Sequence, residues 1–340
     1  MPMSDRRRPR VAVLGAGSWG TTLASIVSRT TPCVLWARSA TIADEINSRR
    51  ASVYLPGVVL PSRVRATTSL EEAVGEADVL VSAVPTQSVR GVLADAAPMV
   101  RPWIPVVSVA KGLEEHTHLR VTEIVADVLP GHPAGVLAGP NIAVEVMAGY
   151  AAAATIAIPD ENLATRLAEL FRTSRFRVYS TSDVVGVEIA GALKNIYAIA
   201  VGMADGAGAG ENTKAMVVTR AAREMSRLGE ALGGHRDTFG GLAGFGDLIV
   251  TCTSPHSRNR HVGEQLGKGR TMIDILEEMT QVAEGVKTTP VAIELADKCG
   301  VGLPIACEVN SVLSGVATVH DAYRGLLRAP AGHETKGDEW

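Results

Sequence analysis

Residues 10–29 read "RVAVLGAGSWGTTLASIVSR". Val11–Leu14 is an unbroken apolar run, the pattern of a strand buried on both faces. Gly15, Gly17 and Gly20 follow in the spacing G-x-G-x-x-G, and a helix-forming stretch begins at once. Each glycine has its own reason in such a unit. Gly15 permits the tight turn, Gly17 lets a pyrophosphate approach the backbone, and Gly20 lets helix and strand pack closely. The N–H groups at the start of the helix, from Ser18 and Trp19 onward, lack partners within it and face the phosphates. A glycine-rich turn without a ligand is the alternative. The strand before, the helix after and the alternating series that follows favour the dinucleotide site.

The pattern repeats down the chain. "CVLWAR" is a second strand, "VRATTS" a short third, "ADVLVSAVP" a fourth and "PVVSVAKGL" a fifth; "GVLAGPNIAVEVMAG" and "AAAATIAI" continue the sheet, with helical stretches between. Such alternation predicts a mostly parallel, doubly wound sheet that takes ligands at the carboxyl ends of its strands. Pro85, Lys111 and Gly139 stand just past such ends. After the second strand comes Arg38, with no acid to hold a ribose 2′-hydroxyl. An arginine there receives a 2′-phosphate, or is simply a surface residue of an arginine-rich chain. From about residue 181 strand signals stop, and "ENTKAMVVTRAAREMSRLGEALGG", "VKTTPVAIELADKCG" and "CEVNSVLSGVATVHDAYRGLL" read as helices. The expected organisation is a nucleotide-binding α/β domain over 1–185, an all-helical domain over 186–330 and a polar tail over 331–340.

A chain of 340 residues suits two domains. A net charge of −3 and 4% aromatic residues argue against a nucleic-acid partner or stacking platforms for single strands. Cys33, Cys252, Cys299 and Cys307 form no C-x-x-C pair, so neither a zinc site nor a disulfide framework is expected, and reduced thiols point to a cytoplasmic protein. The basic head "MPMSDRRRPR" runs through a short apolar stretch straight into the glycines, which is a strand rather than a leader. No apolar run is read as long enough for stable membrane insertion.

Lysine is sparse: seven of the 33 basic residues. Two of the seven, Lys111 and Lys194, sit in markedly apolar surroundings. In "EIAGALKNIYAIA", 188–200, a helical wheel places Lys194 with Val187, Ala190, Gly191 and Ala198 on a face of small side chains. No Asp or Glu lies three or four positions away to pair with it. Either the lysine snorkels to the surface or it serves a ligand. Arginine does not lose its proton at working pH and lysine can, so a lysine kept here suits proton transfer. Further on, "GLAGFGDLIVTCTSPHSRNRHVG" puts Asp247 in a glycine-rich turn with Arg258 and Asn259 shortly after, a set suited to a phosphate or polyol, though "SRNR" also reads as a solvated helix start. Glu284 stands beside a glycine in "VAEG".

"GAGSWGTTLA", "VPTQSV", "AKGLE", "AGPNIAVE", "GALKNIYAIAVGMADG", "TRAAREMSRLG", "GFGDLIVTCTSPHSRNRHVG" and "VAEG" fall in one order over about residues 10–328. In that order the chain resembles the bacterial NAD(P)-dependent sn-glycerol-3-phosphate dehydrogenases. The resemblance implies a Rossmann-type domain followed by a helical domain, usually as a homodimer, reducing dihydroxyacetone phosphate to sn-glycerol 3-phosphate with NADPH or NADH for the glycerophospholipid backbone. It implies Lys194 as the catalytic acid/base, Lys111 as a second lysine touching substrate and nicotinamide, and Asn195, Asp247 and Thr251 around the reacting carbon. Ser257, Arg258 and Asn259 match substrate and phosphate contacts, and Gly139 lines the same pocket. Ser18, Trp19, Arg38, Ala143, Val282 and Glu284 match cofactor contacts, with Lys111 and Arg258 shared and the glycines 15, 17 and 20 at the pyrophosphate. No metal is implied. Asn141 departs from the Ser or Thr of most members and keeps a hydrogen-bond donor. The rival readings are a β-hydroxyacid or 6-phosphogluconate-type dehydrogenase and a non-catalytic dinucleotide sensor.

Overall fold

Val11–Leu14 (β1) is buried at all four positions because it is paired on both sides: Val11 lies opposite Cys33 of one neighbour and Val79 of the other. A strand so enclosed has to be apolar on both faces, which is why its sequence does not alternate. In the computed structural model, which describes residues 8–279 and 282–328, β1 is the third strand of an eight-stranded sheet. The others are β2 (Cys33–Trp36), β3 (Arg65–Thr67), β4 (Val79–Ser82), β5 (Val106–Ser108), β6 (Ala134–Ala138), β7 (Ala152–Ala157) and β8 (Phe176–Thr181). Their order is β3-β2-β1-β4-β5-β6-β7-β8, and the pairs from β3 through β6, as well as β7 with β8, are parallel. The first six strands in the order 3-2-1-4-5-6 make the dinucleotide-binding arrangement, in which the chain builds outward from β1 to β3 and then crosses back to add β4 on the other side of β1. The expected Rossmann-type sheet followed by a helical region is therefore what the chain forms.

Two details differ from the sequence reading. The stretch expected to continue the sheet past β6 breaks at Gly139, whose φ of +140° is closed to ordinary residues, and at Pro140; Ala143–Met147 is then a helix. The strand β8 was not expected at all. It alternates buried Phe176 and Val178 with exposed Arg177 and Tyr179, as suits an edge strand covered on one face, and a search for unbroken apolar runs passes over it. The basic head before Arg8 and the tail 331–340 lie outside the described residues.

The chain divides into two compact units. The first comprises residues up to Ala110, Val121–Leu137 and Asn141–Val184, and its helices are α1 (Ser18–Val27), α2 (Ala40–Asp44), α3 (Leu70–Val74), α4 (Thr86–Ala96), α5 (Val121–Val128), α6 (Ala143–Met147) and α7 (Glu161–Phe171). The second gathers Lys111–Arg120 and Ala138–Pro140 with everything from Val185 on. Its helices are α8 (Val184–Gly206), α9 (Glu211–Ala231), α10 (Arg236–Gly240), α11 (Asp247–Thr253), α12 (Arg258–Gly267), α13 (Met272–Glu278), α14 (Glu284–Cys299), α15 (Pro304–Leu313) and α16 (Val319–Arg328).

Helix α8 is the core of the second unit. Leu193, Ile196, Tyr197 and Ile199 are fully buried, and they share one apolar cluster with Val217, Ala221, Met225 and Leu228 of α9 and Val291 of α14. By length and composition α8 would pass for a membrane span, contrary to the expectation that no run is long enough, but 83% of its most apolar window is buried inside the protein, the position of a core helix. Alongside it runs α12. A Cβ on Gly202 would collide with the carbonyl of Arg260, one on Gly206 with that of Glu264, one on Gly263 with that of Ile199 and one on Gly267 with that of Met203. The two helices thus touch main chain to main chain, in the same direction and in step, Ile199 against Gly263 and Met203 against Gly267.

Candidate active site

Lys194 leaves α8 from its small-residue face. Gly191, one turn earlier, lies beside the side chain of Lys111, which a Cβ there would meet at 3.6 Å, an ordinary packing distance. The partner that the helix itself does not supply arrives 53 positions later, on α11. A π-type turn over Leu242–Gly246 precedes that helix and delivers Asp247 as its first residue. The turn closes this tightly because Gly244 has no side chain: a Cβ there would strike the backbone of Phe239.

The result is a carboxylate held between two ammonium groups. Asp247 Oδ1 accepts from Lys194 Nζ at 2.5 Å and Oδ2 from Lys111 Nζ at 2.7 Å. Lys194 also donates to Thr251 Oγ1 at 2.8 Å, and that hydroxyl donates to the Asp247 carbonyl at 2.5 Å. Lys111 donates in addition to the carbonyl of Gly139 at 3.1 Å. Lys194 and Asp247 are only 5% and 1% exposed, so neither charge is dissolved in water. Burial pushes the Lys194 ammonium down to about 7; the Asp247 charge opposes that fall, and Lys111 adds to it. Burial pushes the Asp247 carboxyl up, but the two ammonium groups together outweigh it and hold it below the usual carboxylate range. The snorkelling alternative for Lys194 is thereby excluded: its head is buried and bonded to both Asp247 and Thr251.

Nearby, Ser257 caps α12, its hydroxyl accepting from the N–H of Arg260 at 3.2 Å. Arg258 and Asn259 open the helix, so their N–H groups have no partner within it. The Arg258 side chain reaches the surface. Protein packed around its head draws its pKa down, against the opposing charge of Glu284. The Asn259 side chain is buried, Nδ2 donating to Asn195 Oδ1 at 2.9 Å and Oδ1 accepting from the N–H of Gly285 at 3.0 Å. Asn195 in turn donates to the carbonyl of Lys111 at 2.7 Å. Glu284 is the first residue of α14, and Val282 just before it is 46% exposed.

The remaining expected site residues belong to the first unit. Gly15 has φ +112°, and a Cβ there would lie 2.7 Å from the carbonyl of Ala83; a Cβ on Gly20 would strike the carbonyl of Gly15. Around Gly17 the space is open. Ser18 and Trp19 are the first residues of α1. Trp19 packs its ring edge-on against Phe176, 5.9 Å between centroids, and its buried Nε1–H has no acceptor among the described residues. Arg38 is exposed just beyond β2, and Asn141 and Ala143 are half-buried at the entry to α6.

The family model for the N-terminus of NAD-dependent glycerol-3-phosphate dehydrogenase matches residues 10–164, and the model for its C-terminus matches 183–324. The chain belongs to the NAD-dependent glycerol-3-phosphate dehydrogenase family. Family members named glycerol-3-phosphate dehydrogenase (NAD(P)+) from Mycobacterium tuberculosis and Mycobacterium avium are 57% and 59% identical over 336 residues, covering 98% of each chain. Among solved structures of the family, glycerol-3-phosphate dehydrogenase of Coxiella burnetii superposes with a TM-score of 0.90 at 33% identity, over 94% of this chain and 99% of that one.

Proposed function

We propose that the protein reduces dihydroxyacetone phosphate reversibly to sn-glycerol 3-phosphate with NADPH or NADH, and that Lys194 is its acid/base. The observation that carries this reading is the Lys111–Asp247–Lys194 cluster, with the Lys194 pKa brought to about 7. When a ketone takes up hydride its oxygen becomes an alkoxide, which needs a nearby positive charge and a proton. The Lys194 ammonium provides both; in the reverse direction the neutral amine removes the alcohol proton. A pKa near neutrality keeps both forms populated, which suits a reversible reaction. Lys111 adds a second positive charge at the same carboxylate, and Asp247 prevents Lys194 from going fully neutral.

The first unit fits a dinucleotide: the glycine turn is closed tightly at Gly15 and Gly20 and open at Gly17, and the buried Trp19 indole N–H, with no acceptor among the described residues, can donate to a ligand. Gly15, Gly17, Ser18, Trp19 and Gly20 would hold the pyrophosphate and its surroundings, Arg38 a 2′-phosphate, and Ala143, Val282 and Glu284 further parts. When bound, the nicotinamide supplies or accepts the hydride. The substrate phosphate suits the start of α12, where the Arg258 guanidinium joins two uncommitted N–H groups at the positive end of a ten-residue helix. Gly139, Asn141, Ser257 and Thr251 complete the proposed substrate contacts. The same reading includes a homodimer working in the cytoplasm and supplying the glycerophospholipid backbone.

The test is oxidation of NADPH and of NADH by the purified protein with dihydroxyacetone phosphate. Saturable turnover is expected, with dihydroxyacetone a very poor substitute. An arginine–phosphate contact contributes roughly 1.5–3 kcal/mol, so Arg258→Ala should raise KM for dihydroxyacetone phosphate about 10- to 100-fold and scarcely alter the residual rate on dihydroxyacetone. Absence of turnover with either cofactor overturns the function; equal harm to both substrates reassigns Arg258 to the cofactor or the fold.

A further inference from the structure

Helix α8 carries a buried acid that the chemistry above does not use. Glu188 is 7% exposed, and its Oε2 accepts from Arg120 at 2.8 Å. Arg120 ends the stretch Lys111–Arg120, which belongs to the second unit. A buried ion pair seldom adds stability over apolar residues of similar size, and its best-attested use is to fix a register. What this pair fixes can be read along α8. Glu188, Gly191 and Asn195 are spaced by three and four residues and share one face of the helix. Each meets the stretch: Glu188 holds Arg120, Gly191 lies beside the Lys111 side chain, and Asn195 donates to the Lys111 carbonyl at 2.7 Å. Both ends are thus tied to one helix, two turns apart. Between them the stretch is closed on itself. The Glu114 N–H donates to the Leu119 carbonyl at 3.0 Å, the His118 N–H to the Glu114 carbonyl at 2.9 Å, and the Thr117 hydroxyl to the buried Glu114 carboxylate. Leu113 joins the apolar cluster of Ile189 and Leu193. A loop closed in this way passes a displacement at one end on to the other. Its outer contacts, Glu115–Lys287 at 3.0 Å and His118–Glu294 at 3.2 Å, lie at the surface and are therefore weak.

We infer that Glu188 is a positioning residue: by holding Arg120 it fixes the far end of this loop on α8, and so places the Lys111 ammonium at the carboxylate that Lys111 shares with Lys194. The inference deepens the dehydrogenase reading and rests on it for its kinetic consequences, not for its structural ones. The kinetic consequence has a sign of its own. The charges facing Lys194 are Asp247 and Lys111; the nearby Cys252 thiol is buried and neutral, pushed up to about 12. Asp247 raises the Lys194 pKa and Lys111 lowers it. If Lys111 withdraws, Asp247 acts unopposed and the Lys194 pKa rises above its present value of about 7.

Two measurements on the full chain test it. Reduction of dihydroxyacetone phosphate needs the protonated amine and slows as pH rises through its pKa. In Glu188→Gln that alkaline limb should move to higher pH by about 0.5–1, and kcat on the plateau should fall about 10-fold, within the scale of a misplaced group. A merely structural loss would lower the rate by one factor at every pH and leave the limb in place. Arg120→Gln should reproduce both effects, and the double variant should cost about as much as either alone, since one link is broken once. Arg120→Lys, which keeps a cation within reach of Glu188, should hold the limb near its wild-type position. Hydrogen exchange, which needs no activity, should be faster at 111–120 in Glu188→Gln and unchanged in α9. The double variant removes both charges together and keeps the test open should a single variant fail to fold. An unmoved limb, additive costs in the double variant, or unchanged exchange at 111–120 would each overturn the assignment. Wild-type inactivity would instead strike the function, and exchange at 111–120 would then decide the positioning role by itself.

Discussion

Replacing Asp247 by Asn removes one charge and almost no volume from a site that is nearly closed to water. In the native protein that carboxylate takes hydrogen bonds from Lys194 at 2.5 Å and Lys111 at 2.7 Å. Burial alone drives the Lys194 ammonium toward neutrality, and Asp247 is the charge that resists it. Breaking a buried ion pair costs about 3–5 kcal/mol; if about 3 kcal/mol of that falls on Lys194, at roughly 1.4 kcal/mol per unit its pKa drops by about two units, from about 7 toward about 5. Ketone reduction needs the protonated amine, so its rate is highest below the pKa and falls as pH rises through it. Around pH 7.5 Asp247→Asn should therefore reduce dihydroxyacetone phosphate about a hundredfold more slowly than wild type, and around pH 5.5 the gap should shrink below about tenfold. Initial rates at saturating substrate across pH 5 to 9, with circular dichroism at each pH to confirm folding, read this directly. A limb that stays near 7 in the variant, with the rate lowered by one factor at every pH, refutes the reasoning: Asp247 would then act on geometry and not on the charge of its neighbour.

Lys194→Arg keeps the charge but gives a group that holds its proton, so kcat should fall at least ~10²-fold; near-normal kcat in folded protein removes Lys194 from the chemistry. Arg38→Asp should weaken NADPH binding about 10- to 100-fold, the size of a lost arginine–phosphate contact, and leave NADH nearly unchanged, as titration of each nucleotide will show; equal effects make Arg38 a surface residue only. Gly263→Ala places a methyl group against the carbonyl of Ile199, and urea denaturation should register a loss of about 1–3 kcal/mol; an unchanged midpoint means that α8 and α12 separate freely.

The strand β1 and its glycine turn were legible because burial on both faces leaves an unbroken apolar run, and because the turn's geometry admits glycine and little else. The edge strand β8 was not, since its alternation of Phe176 and Val178 with Arg177 and Tyr179 is short and bounded by no glycine or proline. Lys194 was conspicuous in sequence through its small neighbours and the absence of an acid within one turn. Its actual partner was out of reach of any periodic argument: Asp247 meets it only because a π-type turn aims α11 at α8. Lys111 and Gly139 illustrate the same limit. A single cut at residue 185 leaves them with the sheet, whereas they group with the helices, held by bonds to Asp247, to Asn195 and to each other. Arg258 could be picked out as a candidate anion contact by residue type. That the neighbouring amide of Asn259 is buried and bonded to Asn195 and Gly285 follows from the pairing of two helices, which the sequence records only as four glycines in two spacings of four.

Those four glycines make α8 and α12 behave like the two jaws of a calliper with its screw tightened. Most helix pairs are separated by interlocked side chains that swap rotamers and let the axes shift by fractions of an ångström. Here Gly202, Gly206, Gly263 and Gly267 leave nothing between the backbones to rearrange. Lys194 rides on one jaw and Arg258 on the other. The separation between the turn of helix that carries Lys194 and the one that carries Arg258 is thus gauged by main chain, and it does not stretch when side chains repack.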